Sequence, residues 1–172
     1  MTRHDDSDLP GRHAVRMRKA VHVFSAGHFI TLSDTLCEPI HGHNWTVAAE
    51  VEGPMDAHGM VVDFILLRDR LSEILRELDH KMLLPTVNPV IAVETADGEV
   101  TARCGGRRWV FPADECVLLP MVNTTAELLA RWVGLRLAAA LGAAGRPVAG
   151  ALRIEVDECL GQSAVWEMPA AG

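Results

Sequence analysis

The segment Cys37-Glu38-Pro39-Ile40-His41-Gly42-His43-Asn44-Trp45 concentrates side chains that bind cations. In an extended chain, residues at i and i+2 point to the same side. His41 and His43 can therefore offer two imidazoles to one ion, with Gly42 leaving room between them. His28, at the end of a preceding strand, can add a third nitrogen. Three imidazoles around Zn²⁺ leave one tetrahedral position for water or substrate, which is the arrangement of a catalytic site rather than a structural one. In a chain with eight histidines the same pattern is also compatible with imidazoles paired to carboxylates or solvent.

Three further positions carry groups suited to proton transfer or recognition. Cys37 stands four residues before His41. In isolation a cysteine behaves as a small buried hydrophobe, whereas beside a dication its thiolate is stabilised and its pKa falls below about 8.5. Asp79-His80 supplies a carboxylate and an imidazole, the materials of an acid/base relay, or else a histidine that complements a helix C-terminus. Glu158 follows an apolar strand and precedes Gly161, so it faces either a cleft or solvent in a turn. Cys104, Cys116, Cys159, His4, His13 and His58 are assigned no role.

Positioning these groups falls to a few elements. From Arg12 to Phe24 the apolar residues Val15, Met17, Val21 and Val23 alternate with Arg16, Arg18 and His22, a strand with the odd positions inward. Trp45, Val47, Ala49 and Val51 repeat the alternation just after His43. Asp63 is placed as a helix N-cap, with Phe64, Leu67, Leu71, Ile74, Leu75 and Leu78 as the apolar stripe and an end between Asp79 and Leu84. Residues 85–120 read as two or three short strands around turns at Ala96-Asp97-Gly98 and Gly105-Gly106, an inserted hairpin-like region. A second helix spans Thr125 to Leu141 and stops at Gly142. Val148 to Val156 is a strand, and Ala164 to Glu167 a last one. Strand pairs alternating with single helices favour an α+β fold, an antiparallel sheet with both helices on one face.

The chain has 172 residues, of which 49% are apolar and 23% charged, enough for one soluble domain over residues 12–168 without disulfide staples. Sixteen Lys and Arg against 23 Asp and Glu leave a net charge of −7, which disfavours nucleic acid as a partner. The most apolar stretch, Leu128 to Ala144, is interrupted by Arg131 and Arg136 and is not a membrane span. Residues 1–11 carry three Asp and no apolar run, and read as a flexible tail rather than a signal peptide. The four cysteines show no CxxC and are expected as reduced thiols in a cytoplasm.

Six segments in order resemble the 6-pyruvoyl-tetrahydropterin synthase superfamily: Phe24-Ser25-Ala26-Gly27-His28, Cys37 through Trp45, Gly59 through Phe64, Leu78-Asp79-His80-Lys81, Thr125-Ala126-Glu127 and Val156-Asp157-Glu158. The resemblance implies the tunnelling fold (T-fold), with four antiparallel core strands and two helices, assembled as a hexamer of two stacked trimers. It implies that His28, His41 and His43 hold zinc and that Cys37 is the base that deprotonates the substrate side chain. Asp79 and His80 would form a relay contributed from a neighbouring subunit. Glu158 would anchor a pterin ring with Thr125 and Glu127 nearby, as a carboxylate can accept two parallel hydrogen bonds from a guanidine-like edge. The Cys37–His41 spacing is closer to the carboxy-type branch. The implied reaction converts 7,8-dihydroneopterin triphosphate to 6-carboxytetrahydropterin with loss of acetaldehyde and triphosphate, on the route to queuosine and related deazapurines. Thr124 and Leu128 stand where the family has Pro and Asn, Trp45 where it commonly has Tyr, and residues 85–120 exceed the usual connection. Pyruvoyl-type synthesis or another altered product is the second reading, ahead of a zinc hydrolase or a non-catalytic pterin-binding module.

Overall fold

The computed structural model describes residues 11–170. All of the tail expected over residues 1–11 except Gly11 lies outside that range. In chain order the elements are β1 (His13–His28), β2 (Thr31–Ser33), β3 (Leu36–Cys37), β4 (His41–Gly53), α1 (Phe64–Leu78), β5 (Lys81–Pro85), β6 (Ala92–Ala96), β7 (Glu99–Cys104), β8 (Arg107–Pro112), β9 (Cys116–Leu119), α2 (Ala126–Ala143), β10 (Leu152–Cys159) and β11 (Gln162–Met168). Six strands form the main sheet in the order β11-β10-β4-β1-β5-β9. The first four are antiparallel neighbours, and both helices cover one face of them, α1 against β1 and α2 against β10 and β11.

The alternation expected for β1 holds only in its first half. Val15 and Met17 face the core, but Val21 and Val23 are exposed and His22, Phe24, Ala26 and His28 are buried instead. The cause is a bulge: Arg18 pairs with Ala48 while Val23 pairs with Thr46, so β1 carries extra residues and its inward parity changes from odd to even. Beyond the bulge, Phe24 stacks on Trp45 with centroids 5.9 Å apart and planes 7° from parallel.

Asp63 caps α1 as expected, its Oδ1 accepting the amides of Ile65 at 2.6 Å and Leu66 at 3.1 Å. Leu67, Leu71, Ile74, Leu75 and Leu78 form the buried stripe, each contributing about 1.5–3 kcal/mol by leaving water. Phe64, expected on that stripe, is exposed. Gly134 on α2 lies so close to the Trp166 ring of β11 that a methyl group there would overlap it.

The antiparallel core strands are as expected, and two parallel strands extend the sheet beyond them. Lys81–Pro85 and Cys116–Leu119 are main-sheet strands, β5 parallel to β1 and β9 parallel to β5. Between them, β6, β7 and β8 form a separate three-stranded antiparallel meander, which is the inserted region. Its inner face gives Val100, Ala102 and Cys104 to a second small core with Phe29, Cys37, Leu84 and Ile91. Helix α2 runs past Gly142 to Ala143, and β10 starts at Leu152 rather than Val148.

His22 sits in the bulge with neither ring nitrogen hydrogen-bonded, and its pKa is lowered by burial first and then by Lys19 and Arg68. The unfolded chain therefore binds a proton at about pH 6.5 that the folded chain resists, and stability is lost as pH falls below that value. His22→Leu should flatten the fall in denaturation midpoint between pH 7 and pH 5. Equal slopes for the variant and the parent would show that His22 does not contribute.

Candidate metal centre

The β1–β4 register places His28 directly across from His41, Gly27 across from Gly42 and Ala26 across from His43. Opposite residues of an antiparallel pair share a face, so all three imidazoles emerge on the face that carries Trp45, Val47, Ala49 and Val51. The cluster continues the core stripe past the point where the helices cover it. His28 is 1% exposed, whereas the His43 side chain keeps 21% of its surface in contact with solvent. A Cβ at Gly42 would lie 3.2 Å from the Ala26 carbonyl oxygen, a tight contact that the backbone would have to ease by a few tenths of an ångström.

Backbone carbonyls set the tautomers. His28 Nδ1–H donates to the Thr124 carbonyl at 2.9 Å, and His41 Nδ1–H donates to the Pro39 carbonyl at 3.0 Å. Both Nε2 atoms then carry lone pairs, and they face each other across 3.2 Å. Two lone pairs at that distance repel unless a cation lies between them. Burial, opposed by the Thr124 hydrogen bond, pushes the His28 pKa down to about 4, so this ring is neutral and ready to ligate at neutral pH. His43 Nε2 is buried without a hydrogen bond, 3.1 Å from Glu158 Oε1, which is itself 3.5 Å from His28 Nε2. Donor atoms of His28, His41, His43 and Glu158 all lie within 4.8 Å of one another. This set of three imidazoles and a carboxylate fits Zn²⁺, and also Fe²⁺, Co²⁺ or Ni²⁺. Glu158, expected as a substrate-binding residue and not as a metal ligand, shares their cluster.

Two hollows flank the cluster. One, of about 310 Å³, is lined by His28, Thr125, Glu127 and Glu158, which brings together the three residues expected to bind substrate. Thr125 occupies the N-cap position of α2 without spending its side chain on the cap. The other, of about 490 Å³, is lined by His43, Asn44, His80, Lys81 and Phe111. There Asp79 accepts the Ser25 amide at 2.8 Å and His80 Nδ1–H at 3.0 Å. The Ser25 amide, and then His80, hold the Asp79 carboxyl below the usual carboxylate range. His80 adopts φ 57°, a left-handed conformation costing roughly 1–3 kcal/mol in a non-glycine residue. Its amide donates to the Ser25 carbonyl at 2.6 Å, so Asp79 and His80, just past the end of α1, are tied to β1.

Cys37 differs most from expectation. It is joined to Cys104 by a disulfide, with Cα atoms 6.5 Å apart, and is buried in the second core. The expectation that all four cysteines are reduced is corrected for this pair, because the inserted meander folds Cys104 onto β3 across a separation of 67 residues. Cys116 and Cys159 are free. Pattern reading had no means of finding Thr124 and Pro39, which act through their carbonyls, or Asn123, whose side chain accepts the Thr31 amide at 3.1 Å and donates to the Thr31 carbonyl at 2.9 Å.

Residues 17–169 match the family model described as 6-pyruvoyl tetrahydropterin synthase. A Pyrococcus horikoshii protein provisionally named 6-carboxy-5,6,7,8-tetrahydropterin synthase is 36% identical over 67% of this chain and 69% of its own. A Methanocaldococcus jannaschii protein with the same provisional name is 29% identical over 83% of this chain and 88% of its own. Among solved structures, 6-pyruvoyl tetrahydropterin synthase of Plasmodium vivax superposes with a TM-score of 0.86 at 22% identity, covering 93% of this chain and 99% of that one. At that identity the likeness establishes the T-fold.

His41→Ala should weaken Zn²⁺ binding at least roughly tenfold, a loss seen even when an outer partner of a ligating imidazole is removed. Competition with a chromophoric chelator measures it. Unchanged affinity would remove His41 from the centre.

Proposed function

Since this chain belongs to the 6-pyruvoyl tetrahydropterin synthase family, we propose that it acts on 7,8-dihydroneopterin triphosphate and forms 6-carboxytetrahydropterin with release of acetaldehyde and triphosphate, as a cytoplasmic zinc-dependent lyase of the queuosine and deazapurine route. The observation that carries this reading is the convergence of His28, His41 and His43 between two hollows, one lined by His80 and the other by Thr125, Glu127 and Glu158. The names of the archaeal relatives and the Cys37–His41 spacing favour the carboxy-type product over the pyruvoyl one.

Each residue has a chemical task. His28, His41 and His43 would hold Zn²⁺, which when bound supplies Lewis-acid polarisation of the substrate's side-chain oxygens. Glu158 stands where the metal cluster meets the smaller hollow. Its carboxylate suits the amino and ring N–H groups of a pterin, with Thr125 and Glu127 beside it. When reduced, Cys37 would act as its thiolate, taking a proton from the substrate side chain and becoming the thiol. Asp79 keeps His80 oriented at the larger hollow, so that the imidazole can pass protons. The main sheet leaves the outer edges of β11 and β9 unpaired within the described chain. Pairing such edges between copies closes a ring and brings site residues of one subunit towards another, which supports a homohexamer of two trimers.

Incubation of the reduced, zinc-loaded protein with 7,8-dihydroneopterin triphosphate tests the reading. Acetaldehyde and triphosphate should appear together and cease with a chelator, and Cys37→Ala should lower turnover by roughly 10²–10⁴-fold, the contribution of a lost acid or base. Triphosphate without acetaldehyde would overturn the carboxy-type product in favour of the pyruvoyl one. Full activity in Cys37→Ala would remove the thiol from the chemistry.

A further inference from the structure

We propose that Cys37 and Cys104 form a reversible thiol–disulfide switch that turns the site off by consuming the thiol assigned as its base; this regulation rests on the synthase reading above. The two Cα atoms are 6.5 Å apart, inside the range of about 4.4–6.8 Å that a disulfide spans without backbone movement. Both residues are buried, at 7% and 4% exposure, so the pairing is built into the second core and is not a chance meeting of surface thiols. Cys116 and Cys159 are not joined to each other or to this pair.

The inserted meander keeps the partners together in either redox state. Arg107 faces Cys104 across the β7–β8 ladder, and its Nη1 donates to the Cys37 carbonyl at 3.3 Å and the Glu38 carbonyl at 3.0 Å. Phe29 packs on Trp109 of β8 with centroids 4.4 Å apart, anchoring the same sheet to the segment after His28. These contacts involve no sulfur and survive reduction, so the separated thiols stay in position to re-form the bond. The adjoining turn is exposed at Gly105 and Gly106, and Gly105 takes φ 58°.

Each state has a defined chemistry. With the bond closed, Cys37 has no thiolate and accepts no proton from substrate. Closure by a low-molecular-weight disulfide such as oxidised glutathione proceeds in two exchanges. One cysteine thiolate attacks the glutathione disulfide, forming a mixed disulfide and expelling one glutathione thiolate. The second cysteine attacks the protein sulfur of that mixed disulfide and expels the other. Overall the two protein thiols lose two protons and two electrons, and one oxidised glutathione becomes two reduced ones. Excess dithiol reverses the sequence.

The test equilibrates the full-length, zinc-loaded protein across ratios of oxidised to reduced glutathione. Non-reducing peptide mapping measures the Cys37–Cys104 bridge, and triphosphate release from dihydroneopterin triphosphate measures turnover. Turnover should fall at least about tenfold as the bridged fraction rises and return fully with dithiothreitol. Cys104→Ser should give no bridged peptide and should match the parent's turnover under reducing conditions. Absence of the bridge at every ratio would overturn the switch, as would bridged protein turning over at the reduced rate, or inhibition accompanied only by glutathione on Cys37. Reduced protein that releases no triphosphate would contradict the synthase reading and the switch with it, while the peptide map still reports separately whether the pair closes.

Discussion

A change of parity within one strand controls what the rest of the molecule can do. Met17 and His28 stand at positions of opposite parity, so a regular β1 with Met17 inward would send His28 to the opposite face, away from His41 and His43. The bulge between Arg18 and Val23 absorbs that mismatch and turns Phe24, Ala26 and His28 inward together. Its cost is visible in the exposure of Val21 and Val23 and in the burial of His22 without a hydrogen-bond partner. That local loss is offset by the Phe24–Trp45 stack and the continuous apolar stripe beyond it.

Once the three rings share a face, the backbone prepares them for a cation. The Thr124 and Pro39 carbonyls take the Nδ1 protons, which leaves the Nε2 lone pairs directed at a common point. Trp45 packs edge-on against both His28 and His43, with centroids 5.0 and 5.1 Å away, and limits how far these rings can turn. Asn123 ties the segment carrying Thr124 to β2 through two hydrogen bonds, so the carbonyl that orients His28 is itself held. The energy of assembling mutually repelling lone pairs is supplied by the fold and is recovered when a divalent ion is bound, so metal binding and folding are linked.

The two helices, the Asp63 cap and the His41-Gly42-His43 pair were legible in the sequence because each depends on local spacing. Thr125, Glu127 and Glu158 were nameable through a family resemblance, and the structure gathers them around one hollow. The inverted half of β1 was not legible, since Val21 and Val23 satisfy an alternation that only the pairing register overrides. Strands β5 and β9 escaped for a different reason: they are short, and their parallel partners lie far away in sequence. The Cys37–Cys104 pair joins positions 67 residues apart without a spacing motif, and only the placement of the inserted meander brings them together. The place of Glu158 within the imidazole cluster depends on how β10 aligns with β4, which composition does not encode.

X-ray absorption at the metal edge of the zinc-loaded protein tests the shared cation most directly. A first coordination sphere of nitrogen and oxygen alone is expected, with the multiple-scattering signature of three imidazoles that falls to two in His28→Ala. A sphere containing sulfur, or a spectrum unchanged by loss of His28, would contradict the convergence on which the site depends.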